Sequence, residues 1–267
     1  MNKFLLVALA ATVSSASFAQ FFDTFDTIDS AWTTDRYEPN GFAVENFMGD
    51  NRLKITIDPA DSSQNRTGGL SGAFYNTQGR QRSGGNIGSP WYVGGSVYIS
   101  SDMVSGDYNW RTDLWTRNDE PDENSSWYGI FGAKRFDDAD AFNPNSTNKT
   151  NAWRVWDADA GGWAILGAAV TEGWHDLMIE SLGSTANYYL DGSLVYTDVS
   201  ASLTIEDDLR TVFVQGYNFG DATYNPAAAY SVYWDNIYAS TSPVPEPATM
   251  AVLGLGALAA FRRRNKK

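Results

Sequence analysis

Cysteine is absent from this chain of 267 residues, and His175 is its one histidine. Without cysteine the chain has no disulfide, no thiolate zinc site, no iron–sulfur cluster and no cysteine nucleophile. A single histidine also excludes a multi-histidine metal site within one chain. Long apolar runs are missing too. A free-standing membrane helix needs about 20 residues, whereas the C-terminal candidate covers only residues 248–261. The length itself is sufficient to bury a core without such supports.

Basic residues are scarce: 19 Lys and Arg stand against 32 Asp and Glu, for a net charge of −13. Lys3 and five other basic residues lie at the two ends, so the net charge of residues 20–244 is about −18. Nucleic acid and anionic membrane surfaces are bound through basic patches, so neither is an expected partner. An exported soluble domain fits this charge, and so does one that takes up calcium.

The first 19 residues have the order of a secretory signal peptide. Lys3 supplies the positive start, residues 4–11 are apolar, and Ser17 and Ala19 place small residues at positions −3 and −1 of a cleavage site. The pattern predicts export, with a mature chain that begins at Gln20.

Residues 241–267 combine three features in a fixed order. A proline motif at Pro245, Glu246 and Pro247 is followed by a short apolar stretch rich in Ala, Gly and Leu, and then by five basic residues. The basic residues would hold the chain end on the cytoplasmic side of a membrane. This order resembles the PEP-CTERM sorting signal of Gram-negative bacteria, many of which make extracellular polysaccharide.

The sorting-signal resemblance implies a sequence of events after synthesis. A short hydrophobic helix would hold the chain in the inner membrane before processing, and an exosortase would then remove the tail. The exported product would reach the envelope surface or the extracellular matrix. A plain C-terminal membrane anchor is the alternative.

Residues 20–240 show no sustained helical periodicity. Short β-branched and aromatic runs alternate with clusters of Gly, Asn, Asp and Ser, a pattern typical of β-strands. The result is a predicted all-β domain, a two-sheet antiparallel sandwich or jelly roll. Asp191-Gly192 predicts a tight hairpin turn. The predicted strands cover residues 53–58, 69–76, 94–100, 108–117, 126–133, 152–156, 163–166, 175–182, 185–190, 194–198, 210–217 and 229–239.

Strand alternation divides several of these runs into an apolar face and a mixed face. In residues 109–117 the mixed face holds a tryptophan among arginines and an aspartate, which is the arrangement expected of a sugar site. If this strand and two others are neighbours, they form one concave binding face. The predicted ligand-binding residues on it are Arg111, Asp113, Trp115, Arg154, Trp156, Gln215 and Tyr217. The alternative is a set of half-exposed sheet residues packed under loops.

Three further segments share a pattern: a Trp-His strand at 173–179, a Tyr-x-Leu-Asp-Gly turn at 188–192 and an Asp-Asn-Ile strand at 232–237. Together they resemble the laminin-G-like, concanavalin A-like lectin and glucanase group. The resemblance implies a concanavalin A-like jelly roll over residues 20–240. Many such carbohydrate modules hold a structural calcium between the first and last strands, and Asp23, Asp26 and Asp235 occupy suitable positions here. Solvated acidic loops are the alternative.

Retaining glucanases of this fold carry a Glu-x-Asp-x-x-Glu strand, whose paired carboxylates act as nucleophile and acid. No glutamate in residues 20–240 lies in that pattern. Glu120 and Glu123 come closest, but their spacing is wrong and a proline separates them. His175 shares a strand face with Leu177 and Ile179, which favours a structural role for it.

We therefore predict a non-catalytic protein that binds polysaccharide of the cell's own matrix. The first alternative is a hydrolase or lyase acting on the same polysaccharide, with Asp113 working beside Arg111 or Tyr217. The second alternative is a structural matrix component with no small ligand.

Overall fold

The computed structural model describes residues 19–35, 38–58, 77–106, 108–119, 126–137, 149–157, 160–199, 208–218 and 229–243. Residues 1–18 of the predicted signal peptide, the predicted strand at 69–76 and the predicted membrane segment after residue 243 lie outside these ranges. Within the ranges, no helix is both long and apolar enough to cross a membrane.

The described residues form fifteen strands and one short helix, α1 (Ser101–Ser105). In chain order the strands are β1 (Ala19–Asp23), β2 (Thr33–Thr34), β3 (Gly41–Phe47), β4 (Asp50–Ile57), β5 (Thr77–Ile87), β6 (Trp91–Ile99), β7 (Trp110–Asp119), β8 (Ser126–Asp137), β9 (Lys149–Asp157), β10 (Gly162–Ile165), β11 (Gly173–Ser181), β12 (Thr185–Leu190), β13 (Ser193–Val199), β14 (Leu209–Asn218) and β15 (Tyr230–Ser240).

These strands build two antiparallel sheets that pack face to face. The eight-stranded sheet has the order β13-β12-β11-β6-β15-β4-β3, with β1 paired to β15, and the seven-stranded sheet has the order β10-β9-β8-β7-β14-β5-β2. The predicted all-β, two-sheet antiparallel sandwich is thereby confirmed. The sequence pattern does not predict β1, β2, β3 or β5.

Two-residue turns fix the register of two hairpins. Asp191 and Gly192, between β12 and β13, both have positive φ angles (49° and 74°), as do Met48 and Gly49 between β3 and β4 (56° and 89°). Positive φ at both central residues is the geometry of a type I′ turn, whose twist matches that of antiparallel strands. The turn at Asp191-Gly192 lies where the sequence predicts it.

Tryptophan side chains occupy much of the space between the two sheets. The fully buried ones in this main core are Trp91, Trp110, Trp127, Trp153 and Trp234, each at most 2% exposed. Trp234 of β15 donates its indole N–H to Thr112 Oγ1 of β7 at 2.9 Å. Because a buried indole N–H needs an acceptor, this hydrogen bond ties one sheet to the other through the core.

The last strand, β15, changes partners along its length. Residues 230–234 pair with β4 and residues 237–240 pair with β1, while β6 lies along the other side. The change occurs around Asn236, which has a φ of 53°, a conformation that asparagine adopts more readily than most residues. The pairing with β1 places Ala19 opposite Ser240, so the described chain starts beside the strand that ends it.

An ion pair between the buried Asp235 and the partly exposed Arg52 lies beside this irregularity. Arg52 Nη1 of β4 is 3.0 Å from Asp235 Oδ2 and 2.6 Å from Asp50 Oδ2. Burial raises the pKa of Asp235 to about 6, Arg52 opposes the rise, and the carboxylates of Asp50 and Asp26 add to it. The Asp235 carboxyl therefore takes up a proton at a higher pH than an ordinary aspartate does.

Gly132 of β8 lets side chains on its two neighbouring strands meet. It pairs with Asp113 of β7 on one side and with Arg154 of β9 on the other. A Cβ at this position would lie well under 3 Å from the Thr112 carbonyl oxygen and from Asp113 Oδ1. With no side chain on Gly132, Arg154 Nη2 comes within 3.7 Å of Asp113 Oδ1 across the intervening strand.

We expect Gly132→Ala to lower the free energy of unfolding by about 3 kcal/mol, because the new methyl group overpacks fixed backbone and a buried carboxylate. Chemical denaturation measures the change. Gly167→Ala is the matched control: a Cβ there meets no atom within 4 Å, so its effect should stay within about 0.5 kcal/mol. Equal effects of the two substitutions would contradict this account of Gly132.

Asp235→Asn tests the buried carboxyl. The pKa of Asp235 is higher in the folded chain than its ordinary value of 3.8, so the folded state takes up a proton between about pH 6 and pH 4 and gains stability there. The asparagine variant has no such gain. The free energy of unfolding of the variant minus that of the wild type should therefore fall as the pH is lowered from 7 to 4.

The control for that series is Asp29→Asn, because Asp29 is not among the groups that shift the pKa of Asp235. The pKa of Asp29 is lowered, mainly by the hydrogen bond from the backbone N–H of Ala31, so this carboxylate stays ionised throughout the window. Its difference from wild type should be flat between pH 7 and 4.5. A flat line for Asp235→Asn as well would show that Asp235 does not titrate as described.

Candidate functional site

The outer face of the seven-stranded sheet, turned away from the core, collects the residues predicted to bind ligand. Gln215 of β14 pairs with Asp113 of β7, and Arg154 of β9 follows across Gly132. Residues that pair directly across antiparallel strands point to the same face, so these side chains form one row over four adjacent strands. Strand alternation divides each of the three predicted strands into two faces but does not show whether the strands are neighbours. The structure places their mixed faces side by side.

A second row runs beside the first on the same face. Trp115 of β7 pairs with Ile130 of β8, Ile130 pairs with Trp156 of β9, and Trp156 pairs with Trp163 of β10. Arg111 lies on this face two residues before Asp113. Tyr217 lies in β14, and its side chain is outside the described part of the structure.

Asp113 holds two arginines on this face. Arg111 Nε donates a hydrogen bond to Asp113 Oδ2, and Arg154 Nη2 lies 3.7 Å from Asp113 Oδ1. All three residues are buried. Because a buried charge needs a partner of opposite sign, the carboxylate fixes the position of both guanidinium groups.

The guanidinium groups in turn lie against tryptophan rings. The Arg154 guanidinium carbon is 3.6 Å from the centroid of the Trp163 ring, and that of Arg111 is 5.2 Å from the same centroid. Cations this close to an indole are attracted to the face of the ring. Trp156 meets Trp163 edge-on at 5.3 Å. Trp163 is partly exposed, so a charged and hydrogen-bonding layer supports an accessible aromatic ring.

Trp115 is not the open aromatic plate that the sequence suggests, because its side chain is only 1% exposed. Its ring packs against Phe213 at 6.1 Å and Tyr128 at 6.3 Å, and Ile130 completes a small apolar cluster outside the main core. The partly exposed aromatic residues of this cluster are Tyr128, Trp156 and Trp163.

Gln215 is buried as well. Its side-chain amide Nε2 donates to Asp35 Oδ2, a residue just after β2. Gly79 of β5 pairs with Gln215, and a Cβ there would lie 2.8 Å from Gln215 Cγ. Gln215 is therefore placed to join the far side of the sheet to the row that contains Asp113.

Sequence reasoning missed Trp163 as a site residue although it predicts a strand at 163–166. A strand of four residues has only two residues on each face, too few for alternation to show which face is turned to the core. The apolar Leu166 that follows the strand could have supplied this information. Alternation from Leu166 to Ala164 places Trp163 and Ile165 on the face opposite the core. Register with Trp156 and Arg154 supports the same assignment.

The carboxylates predicted to hold calcium are engaged by the protein itself. Asp23 accepts the indole N–H of Trp32 at 2.7 Å and a backbone N–H at 2.9 Å, and Asp235 pairs with Arg52. Asp26 is exposed. Among the described residues, no three His, Cys, Asp or Glu side chains form a group that could hold a metal ion. Calcium binding stays a prediction, without an assembled trio to support it.

His175 has the surroundings of a structural side chain. Its Nδ1 lies 2.9 Å from Asp191 Oδ2 and its Nε2 lies 2.9 Å from the Thr171 carbonyl oxygen, and the ring packs edge-on against Trp153 at 5.1 Å. These contacts join the hairpin turn and the segment before β11 to the core, as expected from the burial of Leu177 on the same strand face.

Comparison with known proteins identifies the C-terminal segment. The family model for the PEP-CTERM protein-sorting motif matches residues 243–265, the region that contains Pro245, Glu246 and Pro247. No curated protein matches the chain at a significant level.

Solved structures share the fold at low sequence identity. A glycoside hydrolase family 16 endo-glucanase from Bacteroides ovatus superimposes with a TM-score of 0.53 and 13% identity, covering 82% of this chain and 99% of its own. A protein described among the endo-acting O-glycanases of the human gut microbiota gives 0.52 and 13%, covering 85% and 100%. At such identities the likeness is one of fold. The chain carries a PEP-CTERM sorting motif and folds as a concanavalin A-like jelly-roll sandwich.

Proposed function

We propose that this chain is an exported protein that binds extracellular polysaccharide without cleaving it, through the outer face of the seven-stranded sheet. The observation that carries the proposal is the partly exposed Trp163 ring, supported by the guanidinium groups of Arg154 and Arg111. We therefore centre the proposed site on Trp163 and Trp156 rather than on Trp115. Arg154 and Arg111, which the sequence predicts as ligand-binding residues, lie beside this centre.

The chemistry of this surface suits a sugar. The apolar face of a pyranose ring packs on an aromatic ring, and its hydroxyl groups form hydrogen bonds with charged groups at the edge. Because Arg154 covers one face of the Trp163 indole at 3.6 Å, a sugar would pack against the opposite face of the ring. The ion pairs to Asp113 keep the arginines in place, which lowers the entropy lost on binding.

Binding without catalysis is favoured by the position of Asp113. The residue is fully buried, and each of its carboxylate oxygens faces a guanidinium group. It is placed to hold Arg111 and Arg154 rather than to reach a glycosidic bond. The Glu-x-Asp-x-x-Glu pattern is also missing from the sequence. The similar solved structures are named as enzymes that act on glycans, but their likeness extends to the fold alone.

The sorting motif supports the proposal that this binding occurs at the cell surface. A PEP-CTERM signal is expected to bring the chain to the inner membrane, to an exosortase and then to the cell surface. Polysaccharide of the cell's own matrix is the glycan encountered there. The proposed partners are therefore an exosortase during export and extracellular polysaccharide afterwards.

Trp163→Ala should weaken binding about 30-fold, the loss of roughly 2 kcal/mol expected for an aromatic residue at the centre of a site. The measurement is isothermal titration of the purified exported protein with exopolysaccharide from the producing bacterium. Ile165→Ala is the matched control: it lies on the same strand and face and is 45% exposed, and it should change affinity less than about threefold.

If a folded Trp163→Ala variant binds the polysaccharide as tightly as the wild type, the binding site does not lie on this face. No heat of binding from the folded wild type, in buffer or with added calcium, would reject polysaccharide binding altogether. Release of reducing ends or unsaturated uronates from the polysaccharide would favour the hydrolase or lyase alternative.

Glu246→Ala, within the sorting motif, should block removal of the tail. The expected result is a larger, membrane-associated form of the protein in fractionated cells, detected by mass. Thr241→Ala, just before the matched residues, is the control and should be processed normally. Normal processing of Glu246→Ala would contradict a role for the motif in tail removal.

A further inference from the structure

The outer face of the eight-stranded sheet carries a second set of aromatic side chains, on the opposite side of the sandwich from Trp163. We call Phe47, Tyr98, Trp174 and Tyr233 the outer aromatic group. Phe47 stacks on Tyr233 with ring centroids 3.8 Å apart and planes 10° apart, and Tyr98 meets Phe47 at 4.9 Å and Trp174 at 5.5 Å. Apart from the buried Tyr98, these side chains are partly exposed.

Strand register explains why the group faces outward. Trp174 of β11 pairs with Tyr98 of β6, Tyr98 pairs with Tyr233 of β15, and Tyr233 pairs with Lys54 of β4. The next residue, Trp234, points into the core, so this row points away from it. Adjacent strands lie about 4.8 Å apart, and the row therefore extends about 14 Å, the scale of a short oligosaccharide.

Charged groups with fixed positions surround the rings. Lys54 Nζ is 2.7 Å from Glu45 Oε2, and the Tyr233 hydroxyl donates to Glu45 Oε1 at 2.9 Å. Both hydrogen bonds lower the pKa of Glu45, which keeps it an ionised acceptor. On the other side, the Arg52 guanidinium lies 5.4 Å from the centroid of Trp174, held by Asp235 at 3.0 Å.

This arrangement repeats the chemistry of the first face: partly exposed rings, a guanidinium over an indole, and a carboxylate that holds the guanidinium. A protein partner would favour a site centre depleted of lysine and glutamate, whereas here Lys54 and Glu45 adjoin the rings directly. Sugars carry apolar ring faces and hydroxyl groups together, so they match rings interleaved with hydrogen-bonding charges.

We infer that the outer aromatic group is a second polysaccharide-binding site, which makes the single domain bivalent. The inference rests on the proposed function. Because the two sites lie on opposite faces of a rigid sandwich, they cannot share one short stretch of polysaccharide. They join two chains, or two distant parts of one chain, and the protein cross-links the polysaccharide with an avidity greater than that of either site.

The test compares variants of the two faces with the exported protein and exopolysaccharide of the producing bacterium. Titration with short fragments of that polysaccharide should give two sites in the wild type and one in Trp163→Ala, Trp174→Ala or Phe47→Ala. Light scattering with the intact polysaccharide should show cross-linking by the wild type and at least a tenfold loss in each variant. Leu194→Ala, an exposed aliphatic side chain on β13 of the same sheet, is the matched control and should behave as the wild type.

The outcomes separate the two proposals. If Trp174→Ala and Phe47→Ala keep the wild-type stoichiometry and cross-linking while Trp163→Ala loses binding, the second site is overturned and the proposed function stands. If Trp163→Ala keeps both sites while Trp174→Ala loses one, the outer aromatic group is supported and the first site fails.

A measurement on the unaltered protein covers the case in which Trp174→Ala does not fold. Fragment binding should slow amide hydrogen exchange in β3 and β11, which carry Phe47 and Trp174, as well as in β10. Unchanged exchange in β3 and β11 at saturating fragment would overturn the second site without any substitution.

Discussion

The structure depends on hydrogen bonds that buried indole N–H groups donate to distant segments of the chain. A buried N–H without a partner is costly, so a tryptophan that finds an acceptor fixes the segment that supplies it. Trp234 reaches Thr112 in the opposite sheet, and Thr112 donates onward to the Gln215 carbonyl oxygen at 3.1 Å. Trp32 takes one oxygen of Asp23, which draws the segment after β1 onto the core. Two further pairs are Trp110 with the Met103 carbonyl oxygen and Trp153 with that of Ala169.

This constraint decides what lies on the outside of the sandwich. With Thr112 committed to the core, strand alternation turns Arg111 and Asp113 to the outer face. Charges placed there must satisfy one another, and Gly132 lets Arg154 do so from two strands away. The charged layer that supports Trp163 is thus a consequence of core packing as well as of the local sequence.

The packing of side chains between the sheets also explains which strands can be predicted from the sequence and which cannot. Strands with an apolar face, such as β7 and β11, are predicted because alternation reports directly on burial. β5 is not, because the side chains it turns inward are arginines: Arg80 lies 4.7 Å from the Phe42 ring centroid and Arg82 lies 4.1 Å from that of Phe21. Such stacking replaces apolar contacts and leaves no hydrophobic pattern. Alternation also assigns Trp115 to its face correctly without revealing that rings from β8 and β14 cover it.

The pairing of β1 with β15 has a mechanical consequence. A pull on the chain beyond Ser240 acts along β15, which is hydrogen-bonded to β6 on one side and to β4 and β1 on the other. These strands must slide past β15 before it can leave the sheet, so their hydrogen bonds resist the load together rather than breaking one at a time. Trp234 adds a tether from β15 to the other sheet. Tension entering through the C-terminal end of the chain therefore meets a strand that three neighbouring strands hold.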